Sequence, residues 1–210
     1  GFQQRHAGVR ADIAGAAGEL LLKDIPMFSP THAAANLALL TEAELLFSAD
    51  AVDAAVSQLA VQLTTDLGDS YPLVLAVMGG AVVFTGQLLP RLTFPLDFDY
   101  IHVSRYGEAT TGGELVWRHA PKEAVQGRVV LVLDDILDEG HTLHAIHERV
   151  MALGAKACYS AVLANKLLDH AKPLTADYVG LDVPNRYVFG YGMDVRGAWR
   201  NLPAIYALNA

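Results

Sequence analysis

The sequence has one cysteine, Cys158, in 210 residues. A single thiol cannot form an intramolecular disulfide, which excludes a disulfide-stabilised secreted scaffold and predicts a reducing, cytoplasmic location. No run of about 18 uncharged apolar residues is present, and no signal-peptide pattern precedes the fold, so we expect no membrane association. The sequence also lacks internal repeats and low-complexity tracts.

Positive charge is scarce as well. The chain has 15 Lys and Arg against 23 Asp and Glu, which gives a formal net charge of −8. An acidic chain without Lys/Arg clusters is a poor candidate for nucleic-acid binding, so we expect no nucleic-acid partner. Hydrophobic residues, in contrast, make up 52% of the chain, which is ample for a core. The length predicts one domain with a small appended lobe.

Apolar runs of strand length alternate with helical patterns along most of the chain. The runs predict strands at residues 73–77, 129–133 and 159–163, and an alternating pattern predicts another strand at residues 97–103. Helices are expected after Ser48, after Gly80 and near Thr142. The helix after Gly80 is predicted to bury Val82, Val83, Leu88, Leu89 and Leu92. The next helix is predicted to bury Leu143, Ile146, Val150 and Leu153. This alternation indicates an α/β fold with a mostly parallel central sheet flanked by helices.

The two ends of the chain do not follow this alternation. We therefore expect a core at residues 41–166 and a small hood over the carboxyl ends of the strands. Residues 1–40 are expected to form an N-terminal arm that contributes to the hood, and the first 23 are expected to be either poorly ordered or a variable arm. Residues 167–210 form its C-terminal part.

The stretch with the most candidate binding residues follows the apolar run at residues 129–133. Asp134 and Asp135 come directly after it, and residues 138–142 then lead into a helix. A loop at the carboxyl end of a parallel strand that opens a helix presents backbone N–H groups and the positive helix end, which suits a phosphate. Neighbouring carboxylates suit ribose hydroxyls or a Mg²⁺ ion that shares the phosphates. The turn at Gly79 and Gly80 is a weaker candidate for a second anion contact.

This stretch resembles the diphosphoribosyl-binding motif of the type I phosphoribosyltransferases. The motif is an apolar strand, two acidic residues, two apolar residues and Asp-x-Gly-x-Thr. Its expected places are occupied by Asp134, Asp135, Asp138, Gly140 and Thr142.

The tail of the chain narrows the resemblance to the hypoxanthine-guanine phosphoribosyltransferases. The segments that carry it are residues 177–184, 187–194 and 200–203, together with residues 78–80, residues 105–107 and Lys166. The resemblance covers roughly residues 40–210. It implies that phosphoribosyl pyrophosphate, with Mg²⁺, reacts with a 6-oxopurine to give a purine nucleoside 5′-monophosphate and pyrophosphate. It also implies a homodimer or homotetramer.

The resemblance assigns roles residue by residue. Phosphoribosyl pyrophosphate would contact Gly79, Gly80, Arg105, Tyr106, Asp134, Asp135, Asp138, Glu139, Gly140, His141, Thr142 and Arg200. The purine would contact Ile136, Lys166, Tyr187, Val188 and Asp194. Magnesium would be held by Asp134, Asp135 and Asp194. Asp138 would be the general acid/base at purine N7, and Lys166 would donate to O6 and so select against adenine.

Three positions depart from the family pattern. Met78 stands where many members have Lys, Asp134 where the branch often has Glu, and Arg105 where Ser often precedes the loop Tyr. His141, His144 and His147 recur every three residues, and we interpret them as helix surface rather than a metal site.

Two alternative functions stay open at this stage. One is a non-catalytic sensor or regulator built on the same fold, which would normally bring a basic nucleic-acid surface. The other is a xanthine- or pyrimidine-directed relative. The tail argues for a purine, but it does not rank hypoxanthine, guanine and xanthine.

Overall fold

The computed structural model describes residues 30–105, 115–121 and 124–209. Its helices are α1 (Pro30–Glu42), α2 (Ala49–Leu67), α3 (Val82–Leu88) and α4 (His141–Ala152), with a 3₁₀ turn at Leu89–Arg91. Its strands are β1 (Glu44–Phe47), β2 (Leu73–Met78), β3 (Asp97–Arg105), β4 (Leu115–His119), β5 (Val129–Leu137), β6 (Ala157–Lys166), β7 (Tyr178–Val183), β8 (Val188–Phe189) and β9 (Ile205–Ala207). Most of the predicted N-terminal arm, including residues 1–23, lies outside the described residues.

A six-stranded sheet in the order β4-β3-β2-β5-β6-β7 forms the centre of residues 42–210. Every pairing in it is parallel except the one between β3 and β4. The predicted α/β fold with a mostly parallel central sheet is therefore confirmed. Because β2, β5 and β6 run in the same direction, the loops after them meet at one edge of the sheet.

Strand β5 is buried on both faces, as its unbroken apolar run predicts. Leu131 and Leu133 pack in the cluster that includes α2 and α3, whereas Val130 and Val132 pack in the cluster that includes α4. Each of these four side chains is at most 1% exposed. The helices therefore cover the sheet from opposite sides and leave its carboxyl edge for the site.

The helix boundaries follow from local chemistry. The Ser48 side chain accepts a hydrogen bond from Ala51 N at 3.2 Å, which caps α2, and Gly68 ends that helix. Gly140 precedes α4 with φ +82°, a left-handed conformation that favours glycine.

Several predicted details are wrong. Val82 is 47% exposed and Leu153 is 40% exposed, whereas Phe84 is fully buried in α3. Helix α1 begins at Pro30, since proline is tolerated in the first turn of a helix.

The main sheet also includes strand β7, which comes from the segment 167–210 that was predicted to form the C-terminal hood and base-binding part. The second sheet is small and antiparallel, in the order β1-β9-β8. It joins β1 to the end of the chain, and an ion pair between Glu44 and Arg186 fastens β1 to the tail. Arg186 Nη2 also donates to Leu208 O at 2.9 Å.

No helix in the described part of the chain is long and apolar enough to cross a membrane.

Candidate active site

Strand β5 continues four residues beyond its apolar run. Asp134 pairs with Val162, Ile136 with Ala164 and Leu137 with Asn165 on β6. The acidic pair, which was expected in a loop, therefore lies within the strand, and the connection to α4 is limited to residues 138–140. A strand can continue through these carboxylates because their side chains leave the backbone ladder intact.

The two carboxylates fold back on the following backbone. Asp134 Oδ1 accepts from Asp135 N at 2.9 Å, and Asp135 Oδ1 accepts from Ile136 N at 2.8 Å. Burial raises the pKa of Asp134 well above its ordinary value, and the neighbouring Asp135 charge adds to this shift. Burial also raises the pKa of Asp135, and this shift is partly offset by hydrogen bonds with the Asp134 side chain and Ile136 N and then by the charge of Arg200. The ionised pair is therefore disfavoured by its partial removal from water and, at Asp134, by the adjacent carboxylate charge.

This environment fits a bound cation. Among the described residues, no group of three or more His, Cys, Asp or Glu side chains could hold a metal by itself. Magnesium does not require such a cage, because it keeps several waters and is commonly bound by one or two carboxylates together with substrate phosphates. Asp134 and Asp135 are the residues whose environment matches this mode of binding.

Replacement of Asp134 by Asn should stabilise the ligand-free protein at pH 7. Because the native pKa is raised, the Asp134 contribution favours folding below about pH 4 and is lost as the pH rises through the native pKa. The neutral amide avoids this loss. We expect the free energy of unfolding to rise by about 1 kcal/mol, which corresponds to an increase of about 2–4 °C in Tm. The difference in Tm between Asp134→Asn and the wild type should vanish near pH 3.5 when both are melted under the same conditions. An unchanged or lower Tm at pH 7 would contradict the assigned environment.

A cavity of about 260 Å³, which we call the first cavity, lies beside Asp134 and Asp135. Its lining includes the β2 end and the whole connection to α4: Val77, Met78, Gly80, Val103, Asp134, Asp135, Ile136, Leu137, Asp138, Glu139, Gly140, Thr142 and Leu143. We call residues 138–142 the phosphate loop. It contains the start of α4, where backbone N–H groups and the helix dipole favour an anion.

Two glycines allow the neighbouring segments to approach. A Cβ at Gly80 would overlap the Asp135 carboxylate, and a Cβ at Gly192 would overlap the Gly80 carbonyl oxygen. Gly192 also has φ +106°. The turn after β2 therefore lies between the acidic pair and the tail. The peptide bond between Met78 and Gly79 is cis.

A second cavity of about 200 Å³ adjoins the first and shares Asp135, Ile136 and Asp138 with it. The other lining residues are Lys166, Tyr187, Val188, Met193 and Asp194. We call this cavity the base pocket. Five residues of its lining are those that the family resemblance assigned to the purine.

Lys166 and Asp138 form an ion pair at the wall between the two cavities. Lys166 Nζ lies 2.7 Å from Asp138 Oδ2, and the lysine side chain is 12% exposed whereas the aspartate is 50% exposed. Tyr187 is 53% exposed, and its hydroxyl donates to Asp194 O at 3.1 Å. This bond holds the ring in place at the mouth of the base pocket.

Asp194 and Arg200 are close to the site but contact each other. Arg200 Nη2 lies 2.6 Å from Asp194 Oδ1, and Arg200 Nη1 donates to Gly192 O at 2.6 Å. Asp194 Oδ2 also accepts from Gly197 N at 2.7 Å. A metal or pyrophosphate role for these two side chains would require a change of partners.

The remaining predicted residues are distributed as follows. Glu139 is exposed and contacts His170, and His141 is exposed at the first position of α4. The Arg105 side chain and all of Tyr106 lie outside the described residues. Three residues with contacts to the site were missed, namely Lys172, Gly192 and Met193. Gly192 and Met193 belong to the motif at residues 187–194, but no role was assigned to either of them. The sequence around Lys172 contains no pattern that indicates a role in the site.

Known proteins resemble this chain over most of its length. The family model for the phosphoribosyl transferase domain matches residues 44–196. The hypoxanthine-guanine phosphoribosyltransferase of Bacillus subtilis is 33% identical over 166 residues, which are 79% of this chain and 92% of that protein. A hypoxanthine-guanine-xanthine phosphoribosyltransferase of Tritrichomonas foetus is 34% identical over 77% of this chain and 88% of that protein.

A crystal structure of a hypoxanthine-guanine phosphoribosyltransferase from Bacillus anthracis superposes with a TM-score of 0.75 at 31% identity, covering 79% of this chain and 98% of that one. The bifunctional protein TilS/HprT of Listeria monocytogenes is 37% identical over 77% of this chain, which spans only 25% of that longer protein. The chain belongs to the phosphoribosyltransferase family. Its predicted likeness to the hypoxanthine-guanine branch is confirmed by these relatives.

Proposed function

We propose that this protein is a purine salvage enzyme that transfers 5-phosphoribosyl from phosphoribosyl pyrophosphate to hypoxanthine or guanine, with IMP or GMP and pyrophosphate as products. The observation that carries this proposal is the pair of adjoining cavities that share Asp135, Ile136 and Asp138. One cavity ends on a phosphate loop, and the other offers an ammonium and an aromatic ring. The new bond between sugar and purine would form at the shared wall.

The first cavity would take the phosphoribosyl group. The 5′-phosphate would lie in the phosphate loop, where backbone N–H groups donate to it. Asp134 and Asp135 would face the ribose hydroxyls and hold Mg²⁺, whose charge would offset that of the pyrophosphate. Carboxylates at this position would also favour the positive charge that develops at C1′.

The base pocket would take the purine. A 6-oxopurine presents O6 next to N7, and an ammonium 2.7 Å from a carboxylate matches this pair of atoms. Lys166 would donate to O6, and Asp138 would accept the N7 proton as the base attacks C1′. Adenine carries an amino donor in place of O6, so it would leave the Lys166 ammonium facing another donor.

The purine ring would lie between the exposed Tyr187 ring and Ile136, with the Val188 backbone at its other edge. Asp194 would complete the pocket and become a magnesium ligand only if it leaves Arg200. Arg200 would then be free to contact pyrophosphate, a role suited to a guanidinium.

Lys166→Met tests the base assignment. Loss of the ammonium should reduce kcat/KM for hypoxanthine by about 10²-fold, because a charged hydrogen bond to O6 is removed. It should reduce the preference for hypoxanthine over adenine by a similar factor. Steady-state kinetics with both bases measures the two effects, and Lys156→Met, just before the first residue of β6, is the matched control. An unchanged ratio between the bases would show that another group reads O6.

The family resemblance also supports a proposal for the oligomeric state, a homodimer or homotetramer, and a proposal for the location, the cytoplasm. Light scattering on the purified protein would measure the first directly.

A further inference from the structure

A short segment between β6 and β7, residues 167–174, packs behind the phosphate loop; we call it the strap. Gly140 is the point of closest approach. A Cβ at Gly140 would lie 3.4 Å from each of three strap atoms, in Lys172, Pro173 and Leu174. The strap therefore lies close enough to the turn that opens α4 to touch any side chain placed at Gly140.

Lys172 makes the polar contacts of the strap. Its ammonium donates to Leu137 O at 2.8 Å and to Asn165 Oδ1 at 2.8 Å. Asn165 in turn donates from Nδ2 to Asp182 Oδ1 at 2.7 Å, which fixes the orientation of its amide. Leu137 is buried, so its carbonyl at the end of β5 requires a donor from the protein. Partial burial of the ammonium lowers the pKa of Lys172.

The two acceptors of Lys172 occupy matched positions. Leu137 and Asn165 are partners in the register between β5 and β6. Each directly precedes a residue of the site, because Asp138 follows Leu137 and Lys166 follows Asn165. One ammonium thus bridges the ends of the two strands at the point where Asp138 and Lys166 leave them.

We propose that Lys172 is a positioning residue, which rests on the proposed function: it holds the end of β5 against the end of β6 and so fixes the distance between Asp138 and Lys166. Lys172 does not line either cavity of the site. It acts through the residues it bridges, without contact to the substrates. A small displacement of catalytic groups can reduce turnover strongly even when substrates still bind.

The experiment compares the intact wild-type protein with Lys172→Met, Lys172→Arg and Lys156→Met. Lys172→Met removes both hydrogen bonds, whereas Lys172→Arg retains a charged donor. Lys156 is exposed and precedes β6 at the opposite edge of the sheet, so it controls for loss of a lysine. The readouts are kcat and both KM values with hypoxanthine and phosphoribosyl pyrophosphate, and amide hydrogen exchange of residues 138–142.

Lys172→Met should lower kcat by about 10- to 100-fold, with KM for phosphoribosyl pyrophosphate changed by less than about threefold. Exchange should increase in residues 138–142 relative to α2, and Lys172→Arg should recover most of the lost kcat. A kcat within twofold of the wild type, or a loss that accompanies a uniform increase in exchange, would overturn the proposal. If the wild type turns over no purine, the proposed function fails, and the exchange data still decide whether Lys172 positions the loop.

Discussion

Asp138→Asn should reduce kcat for hypoxanthine by about 10²- to 10³-fold, because an amide cannot accept the N7 proton. Asp138 lies at the shared wall of the two cavities, 2.7 Å from the Lys166 ammonium. The carboxylate is half exposed, so loss of its ion pair should cost less than about 1 kcal/mol in stability. The expected result is therefore a large loss of turnover with a nearly unchanged Tm, measured by steady-state kinetics and thermal melts.

The matched control is Asp69→Asn, an exposed aspartate between α2 and β2. This variant should retain wild-type kcat, since it changes the net charge equally but leaves the site intact. A kcat for Asp138→Asn within about threefold of the control would mean that another group carries the proton.

Gly80→Ala should damage both the site and the fold. The added methyl group would overlap the Asp135 carboxylate, and the Gly80 carbonyl is already close to Gly192. Asp135 must then turn away or the β2 turn must shift, which should cost about 1–3 kcal/mol in the free energy of unfolding. Because Asp135 faces both cavities, kcat/KM for phosphoribosyl pyrophosphate should fall by about 10²-fold or more.

Gly86→Ala is the control for this substitution. Gly86 lies in α3, only six residues away, and a Cβ there has no atom within 4 Å. Alanine in a helix interior should stabilise by about 0.5–1 kcal/mol and leave kinetics unchanged. Urea unfolding of both variants gives the comparison. Wild-type stability and kinetics for Gly80→Ala would contradict the observed packing of this turn.

The fold was predictable where one local pattern determines it. The apolar run of β5 and the helix expected after Ser48 each depend on short-range chemistry, and each was confirmed. The end of β5 was not predictable, because strand pairing with β6 extends through two carboxylates that resemble the start of a loop. The exposure of Val82 likewise depends on how α3 rotates against the sheet, which periodicity over seven residues does not determine.

The candidate site shows the same division. The acidic pair and the phosphate loop follow one another in the sequence, so their proximity was predictable. The contact between Lys166 and Asp138 joins residues 28 positions apart, and the contact between Lys172 and Leu137 joins residues 35 positions apart. The family resemblance assigned both Lys166 and Asp138 to the purine, but it did not predict their contact. The contact of Lys172 had no sequence signal at all, since a lone lysine in a connecting segment is normally solvated.

The most direct test of the central claim is product formation by the intact protein with phosphoribosyl pyrophosphate, Mg²⁺ and one of four bases, followed by chromatography. The account predicts nucleoside monophosphate and pyrophosphate in equal amounts from hypoxanthine or guanine. It predicts a rate with adenine that is lower by about 10³-fold or more. Absence of product from hypoxanthine, guanine and xanthine, with phosphoribosyl pyrophosphate still bound, would contradict the enzyme assignment and favour a sensor on the same fold.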